Sequence, residues 1–223
     1  MITDLAIELI KKVPKDNDGL THIKIATPAQ SKAVGKPIGN YVNITKNFKK
    51  NLQIALKLFK IKGKILIVGL GNDRFIADSL GPKTLTMIEA GRNTATFEPN
   101  VRGITGIDST DAIRAIVDLV KPKFAIILDS LVSFDAEKIG CNYQITDTGI
   151  TPGSGIRRNN KELNKVFLGC NVISIGVPVC TIIEKVSTTS HKRRIFRLVP
   201  SDIDQIIDGC AINIADAING RGK

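Results

Sequence analysis

The sequence of 223 residues predicts an α/β fold, with one doubly wound, largely parallel sheet that carries helices on both faces. Three short apolar segments, at 64–69, 124–129 and 171–178, support this prediction. Such continuous apolar runs are typical of parallel strands that are buried on both faces. Segments with helical periodicity separate them, which is the alternation of a parallel sheet. Because no linker, repeat or low-complexity segment interrupts the pattern, we expect residues 1–223 to form a single domain.

The part of the chain before the first apolar segment predicts two helices and a sheet edge. Residues 3–12 and 46–60 place apolar side chains at every third or fourth position, as amphipathic helices do. Thr45 can cap the second of these helices. Residues 20–26 roughly alternate apolar and polar side chains, and 41–44 form another short strand. We expect both strands to extend the sheet as an antiparallel edge.

The later elements are recognised by their end signals. A helical pattern at 80–90 ends at Gly91, and a helix at about 110–120 can begin at Asp108 or Ser109 and end before Pro122. The remaining predicted elements are short strands at 94–98, 142–145 and 195–199 and a final helix at about 202–219 with an isoleucine-rich face.

Composition excludes several classes of protein. No apolar run approaches the roughly 20 residues that span a membrane, and the N-terminus lacks the basic region of a signal peptide, so we expect a cytoplasmic protein. The net charge of +11 is interpreted as a solvated, lysine-rich surface. Aromatic residues make up only 4%, too few for a nucleic-acid stacking surface, so no nucleic-acid partner is expected. The four cysteines have no metal-binding spacing and are interpreted as small buried residues.

Two aspartates are the candidate catalytic residues. Asp78 follows the turn after the strand at 64–69, and Asp129 ends the strand at 124–129. Because ligands bind outside the carboxyl ends of parallel strands, we expect both carboxylates at the same edge of the sheet. Two close carboxylates do not ionise together easily, so one keeps a proton and the pair can divide acid and base roles against an amide. Individually, Asp78 could instead cap a helix and Asp129 could anchor a loop.

Two loops are candidate substrate-binding elements. The turn Gly69-Leu-Gly-Asn72 lacks the third glycine of a dinucleotide site and is not a phosphate-binding P-loop. The loop at 147–155 offers backbone N–H groups that can hold an extended peptide or a developing oxyanion, although it could equally be an ordinary turn. The candidate substrate-binding residues are Gly69, Gly71, Asn72, Asp147, Thr148, Gly149, Pro152, Gly153, Ser154 and Gly155.

A series of motifs in order along the chain resembles the germination proteases of spore-forming bacteria. The matching motifs are Thr3-Asp-Leu-Ala6, Gly35-Lys-Pro-Ile-Gly-Asn-Tyr41, Val68-Gly-Leu-Gly-Asn72, Asp78-Ser-Leu-Gly-Pro82, Gly103-Ile-Thr-Gly106, Ile127-Leu-Asp-Ser-Leu131, Gln144-Ile-Thr-Asp-Thr-Gly-Ile150, Pro152-Gly-Ser-Gly155, Ile175-Gly-Val-Pro178 and Val199-Pro-Ser-Asp-Ile-Asp204. The resemblance implies an endopeptidase that degrades small acid-soluble spore proteins in the cytoplasm of the spore core. It also implies a fold similar to hydrogenase maturation peptidases, catalysis by Asp78 and Asp129, a homo-oligomer such as a tetramer, and no cofactor or membrane partner.

The sequence departs from the family pattern in several places, and the segments around 91–100 and 187–194 are shorter than in the family. Ile76-Ala77 stands where the family has Thr-Pro, and Val179-Cys-Thr181 begins a segment where the family has Thr-Val-Val-Asp-Ala. Thr3 lies almost at the start, so we expect little or no propeptide. Alternative hypotheses are a metal-using peptidase of similar fold, a peptide-binding relative without activity, and a peptidyl-tRNA hydrolase. The last of these is disfavoured because its Thr-Arg-His-Asn motif is missing.

Overall fold

The computed structural model describes residues 3–11, 13–153, 161–186 and 193–220, and the side chains of residues 184–186 and 193–195 lie outside this description. An eight-stranded mixed sheet forms the centre of the described part. Its strands are β1 (Leu20–Ile25), β2 (Gly39–Ile44), β3 (Ile65–Gly69), β4 (Thr94–Phe97), β5 (Phe124–Ser133), β6 (Tyr143–Thr146), β7 (Asn171–Val186) and β8 (Arg193–Leu198). The helices are α1 (Pro28–Val34), α2 (Phe48–Leu58), α3 (Leu80–Thr86), α4 (Arg102–Thr105), α5 (Ser109–Val120), α6 (Lys165–Leu168) and α7 (Ile203–Asn219).

The order of the strands across the sheet is β1-β2-β6-β7-β5-β3-β4. β8 stands outside this linear order and pairs with β7. β3 pairs in parallel with β4 and β5, and β5 pairs in parallel with β7, which makes the parallel part of the sheet. β1, β2 and β6 continue the sheet through antiparallel pairs. The predicted α/β class and the antiparallel edge are therefore confirmed, and β2, β3, β4, β5 and β7 all run in one direction.

Helices cover both faces of the sheet. On one face, buried side chains of α2 and α7, such as Leu52 and Ile214, join the larger apolar core. On the other face, Ile113 and Val117 of α5 and Leu168 of α6 form a second core with β3 and β5. Because β3 and β5 are buried on both faces, their sequences are continuously apolar rather than alternating. Within the described residues, no helix is long and apolar enough to cross a membrane.

Several local predictions differ from the structure. The predicted helix at 3–12 is wrong: among the described residues 3–11, the helical part is a short 3-10 turn, Ala6–Glu8. Asp108 does cap α5 by accepting a hydrogen bond from Thr110 N–H, whereas α2 begins after Asn47 rather than after Thr45. The short helix α1 was not predicted. β5 and β7 also continue beyond 129 and 178, the predicted ends, because they pair with each other as far as Ser133 and Thr181.

Candidate active site

The turn after β3 brings one of the two candidate aspartates to the edge of the sheet. Gly69 packs against the start of α3, where a Cβ atom would lie 2.6 Å from the carbonyl oxygen of Gly81. Gly71 has a φ of +123°, and a Cβ atom there would overlap the carbonyl oxygen of Asp78. Asn72 N–H donates to that same oxygen at 2.9 Å. The turn therefore depends on glycine, and it holds the backbone of Asp78 directly against the end of β3.

Asp78 ends a short 3-10 turn and does not cap α3. The N-cap residue of α3 is Ser79, and its side chain makes no capping hydrogen bond. The helix-cap interpretation of Asp78 is therefore wrong. Asp78 instead lines a cavity at the carboxyl ends of the parallel strands.

Asp129 lies inside β5, one residue beyond the last residue paired with β3. The pairing of Gly69 with Leu128 places Asp129 just past the end of β3, and Asp129 itself lies opposite Gly176 of β7. The prediction that a strand ends at Asp129 is wrong, because β5 runs on to Ser133. The carboxylate Oδ1 of Asp129 accepts a hydrogen bond of 2.9 Å from Ser130 N–H.

One cavity of about 620 Å³ is lined by both candidate catalytic aspartates. Asp4 and Asp108 also line it, so four aspartates contribute to the cavity wall. Further lining residues are Gly71, Phe75, Asn100, Arg102, Ser130, Leu131, Pro152, Gly153, Cys180 and Arg197. The structure thus brings together aspartates that are distant in the sequence, as expected for residues that follow neighbouring parallel strands.

The electrostatics of the cavity favour the protonated form of Asp129. Burial raises the pKa of the Asp129 carboxyl well above its usual value, and the charges of Asp78 and Asp4 raise it further. The hydrogen bond from Ser130 N–H opposes this shift but does not reverse it. Asp129 can therefore hold a proton at pH values at which an exposed aspartate has lost it.

Asp4 is a cavity residue that sequence reasoning did not identify as part of the site. Its N–H donates to the carbonyl oxygen of Val132, and its Oδ2 accepts from Val132 N–H, both at 2.9 Å. Val132 adjoins a register shift in β5 between Leu131 and Val132. The motif Thr3-Asp-Leu-Ala6 was the available signal, but its apolar spacing suggested a helix and hid the pairing with β5.

The loop after β6 divides into a part that lines the cavity and a part that does not. Pro152 and Gly153 line the cavity, whereas the side chain of Asp147 accepts two hydrogen bonds of 2.7 Å from the backbone N–H and side-chain amide of Asn40. Thr148 N–H donates to the side chain of Thr146, as in an ordinary turn. Among the described residues that line the cavity, the predicted residues Gly69, Asn72, Asp147, Thr148 and Gly149 do not appear. Ser154 and Gly155 lie outside the described residues.

The cysteines have the structural character that the sequence predicted, with one exception. Cys170, Cys180 and Cys210 are buried, and Cys141 is exposed. Burial raises the pKa of Cys180, which lines the cavity, and so favours its thiol form. Within the described part of the chain, no group of three or more His, Cys, Asp and Glu side chains is arranged to hold a metal ion.

Comparison with known proteins gives a consistent family match. The model of a family described as germination protease matches residues 38–198. The germination protease of Geobacillus sp. (strain WCH70) is 35% identical over 208 aligned positions, covering 78% of this chain and 55% of that protein. The germination protease of Caldanaerobacter subterraneus subsp. tengcongensis is 31% identical over 232 positions, covering 85% of this chain and 71% of that protein. For Bacillus cytotoxicus the identity is 35%, with coverage of 79% and 57%.

The chain is shorter than these relatives and spans little more than half the length of two of them. Among solved structures, the NiFe hydrogenase maturation protease HycI from Thermococcus kodakarensis KOD1 is 17% identical and superposes with a TM-score of 0.49. That superposition covers 75% of this chain and 99% of the HycI chain.

Proposed function

Because the chain belongs to the germination protease family, we propose that it is an endopeptidase that cleaves small acid-soluble spore proteins during germination. The observation that carries this proposal is the presence of Asp78 and Asp129 in one cavity, with the pKa of Asp129 raised by burial and by the neighbouring carboxylates. Two carboxyl groups in different protonation states are what acid–base hydrolysis of an amide requires.

In the proposed mechanism, ionised Asp78 takes a proton from a water molecule as the water oxygen bonds to the substrate's carbonyl carbon. Protonated Asp129 then gives its proton to the leaving nitrogen, and the C–N bond breaks. The products are a carboxylic acid and an amine. Asp78 now holds a proton and Asp129 has lost one, so proton exchange with solvent restores the starting state.

Other parts of the cavity wall have proposed roles in holding the substrate. Gly71, Pro152 and Gly153 line the cavity, and we propose that their main chain contacts an extended peptide substrate. We further propose that the protein works in the cytoplasm of the spore core and as a homo-oligomer such as a tetramer. Both of these proposals rest on the family.

The proposal is tested by replacing each aspartate with asparagine and following cleavage of a purified small acid-soluble spore protein by gel electrophoresis. Asp78→Asn and Asp129→Asn are each expected to lower kcat by about 10² to 10⁴, the usual contribution of a general acid or base. Asp118→Asn, on the exposed face of α5, is the matched control and should cleave normally. Full cleavage by both site variants would refute the mechanism. Binding of the substrate without cleavage by the wild type would instead indicate a peptide-binding relative.

A further inference from the structure

The chain's own N-terminal segment, residues Thr3–Glu8, lies beside the cavity; Leu5 has an extended backbone, and the 3-10 turn Ala6–Glu8 follows it. Asp4 pairs with Val132 of β5 through its N–H group, and Asp4 lines the same cavity as Asp78 and Asp129. The next residue, Leu5, is fully buried. The segment is therefore bound as a peptide would be, by main-chain pairing and by burial of side chains.

Gln144 of β6 holds the main chain of this segment by both ends of its side-chain amide. Its Nε2 donates to the carbonyl oxygen of Asp4 at 3.1 Å, and its Oε1 accepts from Ala6 N–H at 2.7 Å. In a parallel sheet, the backbone of one residue makes the same pair of hydrogen bonds to the neighbouring strand. Its N–H donates to the C=O of one residue there, and its C=O accepts from the N–H two residues further along that strand. Because both bonds are to backbone atoms, Gln144 can hold an extended chain of any sequence.

Lys36 adds a positive charge at the same carbonyl oxygen. Its Nζ donates to the oxygen of Asp4 at 3.0 Å and to that of Thr3 at 3.4 Å. Burial lowers the pKa of Lys36, while the charges of Asp4 and Glu8 oppose this change. The oxygen of Asp4 therefore receives two side-chain donors, one of them cationic, in a partly desolvated place. Such an arrangement stabilises the negative charge that develops on a carbonyl oxygen when water adds to the carbon.

The register of the sheet connects Gln144 to Asp129. Gln144 lies opposite Gly176 of β7, and Asp129 lies opposite the same glycine from the other side. Residues that face each other across a ladder point to the same side of the sheet, so Gln144 and Asp129 share one face, roughly 10 Å apart at two strand spacings. Asn43 continues this row beyond Gln144. Its side chain is 2% exposed and has no hydrogen-bond partner within the described part of the chain.

We propose that Gln144 and Lys36 form a main-chain clamp that positions the carbonyl group of the substrate's scissile bond beside Asp78 and Asp129. In this structure the carbonyl of Asp4 occupies the clamp. This inference rests on the proposed peptidase function. The competing explanation is that both side chains only anchor the N-terminal segment, and the two explanations predict opposite effects on cleavage.

The test uses four variants of the full chain: Gln144→Glu, Gln144→Met, Lys36→Met and Lys36→Arg. Gln144→Glu keeps an acceptor for Ala6 N–H but loses the donor to the carbonyl, whereas Gln144→Met loses both. Cleavage of a small acid-soluble spore protein is measured as kcat and KM, and amide hydrogen exchange is measured at Ala6. Lys32→Met, an exposed lysine of α1, is the control for the lysine variants. Circular dichroism checks that each variant is folded.

If the clamp acts on substrate, Gln144→Glu and Lys36→Met lower kcat by about 100-fold, the usual loss for one oxyanion donor. Gln144→Glu keeps the amide protection of Ala6, and Lys36→Arg recovers part of the activity. If both side chains only anchor the segment, exchange at Ala6 rises while cleavage stays within about threefold of the wild type or becomes faster, and the clamp is refuted. A wild type that cleaves nothing refutes the proposed function itself, so the two failures are distinguishable.

Discussion

Replacement of Glu8 by glutamine tests how the N-terminal segment is held against the sheet. The side chain of Glu8 is only 4% exposed and accepts hydrogen bonds at both oxygens. Oε1 accepts from Ser133 Oγ at 2.6 Å and from Lys138 Nζ at 3.0 Å. Oε2 accepts from Phe134 N–H at 3.0 Å and from the hydroxyl of Thr3. Glutamine has the same shape, but its NH₂ group faces two of these donors without being able to accept from them.

The expected loss follows from this geometry. Two hydrogen bonds to a charged acceptor disappear, at about 1.5 to 3 kcal/mol each, and partial rearrangement reduces the total, so we expect Glu8→Gln to lower the free energy of unfolding by about 3 kcal/mol. With a urea m value of about 2 kcal/mol/M, the unfolding midpoint falls by roughly 1.5 M. Glu137→Gln, an exposed carboxylate in the next turn, is the control and should change the midpoint by less than about 0.3 M.

The loss of stability caused by Glu8→Gln should depend on pH, and its direction follows from the pKa of Glu8. Burial raises the pKa of Glu8, but the bonds from Phe134, Ser133, Thr3 and Lys138 together outweigh it, and the net shift is downward. A carboxyl group with a lowered pKa in the folded state contributes stability above its unfolded pKa and loses that contribution as pH falls through its folded pKa. The midpoints of Glu8→Gln and wild type should therefore approach each other as the pH falls below about 4. Equal midpoints for the Glu8 and Glu137 variants at pH 7 would contradict this reasoning.

Three further predictions concern the cavity. Because the charge of Asp4 raises the pKa of Asp129 in the free enzyme, Asp4→Asn should shift the alkaline limb of the kcat/KM–pH profile to lower pH, and an unchanged limb would contradict that coupling. Burial destabilises the ionised form of Asp129, and this lowers the free energy of unfolding only at pH values above the pKa that Asp129 has in the unfolded chain. Asp129→Asn should therefore unfold at a higher urea concentration than wild type at pH 8 but not at pH 3. Gly71→Ala should lose at least about 2 kcal/mol of stability by thermal unfolding because of its positive φ and the overlap with Asp78, whereas Gly209→Ala, with open space inside α7, should gain about 0.5 to 1 kcal/mol.

The resemblance in the sequence led correctly to the family, and the apolar patterns led correctly to the α/β class. The strands that carry the two candidate aspartates were recognised because strands buried on both faces read as continuous apolar runs. That rule also explains why the two aspartates were expected at one edge, where the structure places both in one cavity. The ends of β5 and β7 were missed because these strands extend by pairing with each other, and a pairing partner is not visible in a local pattern.

The sequence by itself therefore determined the fold class, the antiparallel edge and the position of Asp78 and Asp129 along the chain, since these depend on local periodicity and on strand ends. Only the tertiary structure decided what surrounds those carboxylates. The pairing of Asp4 with Val132 and the two bonds from Gln144 join segments more than a hundred residues apart in the sequence. The same distant contacts overrode the helical spacing of residues 3–12, because main-chain hydrogen bonds to the sheet and burial of Leu5 outweigh a weak local helix preference.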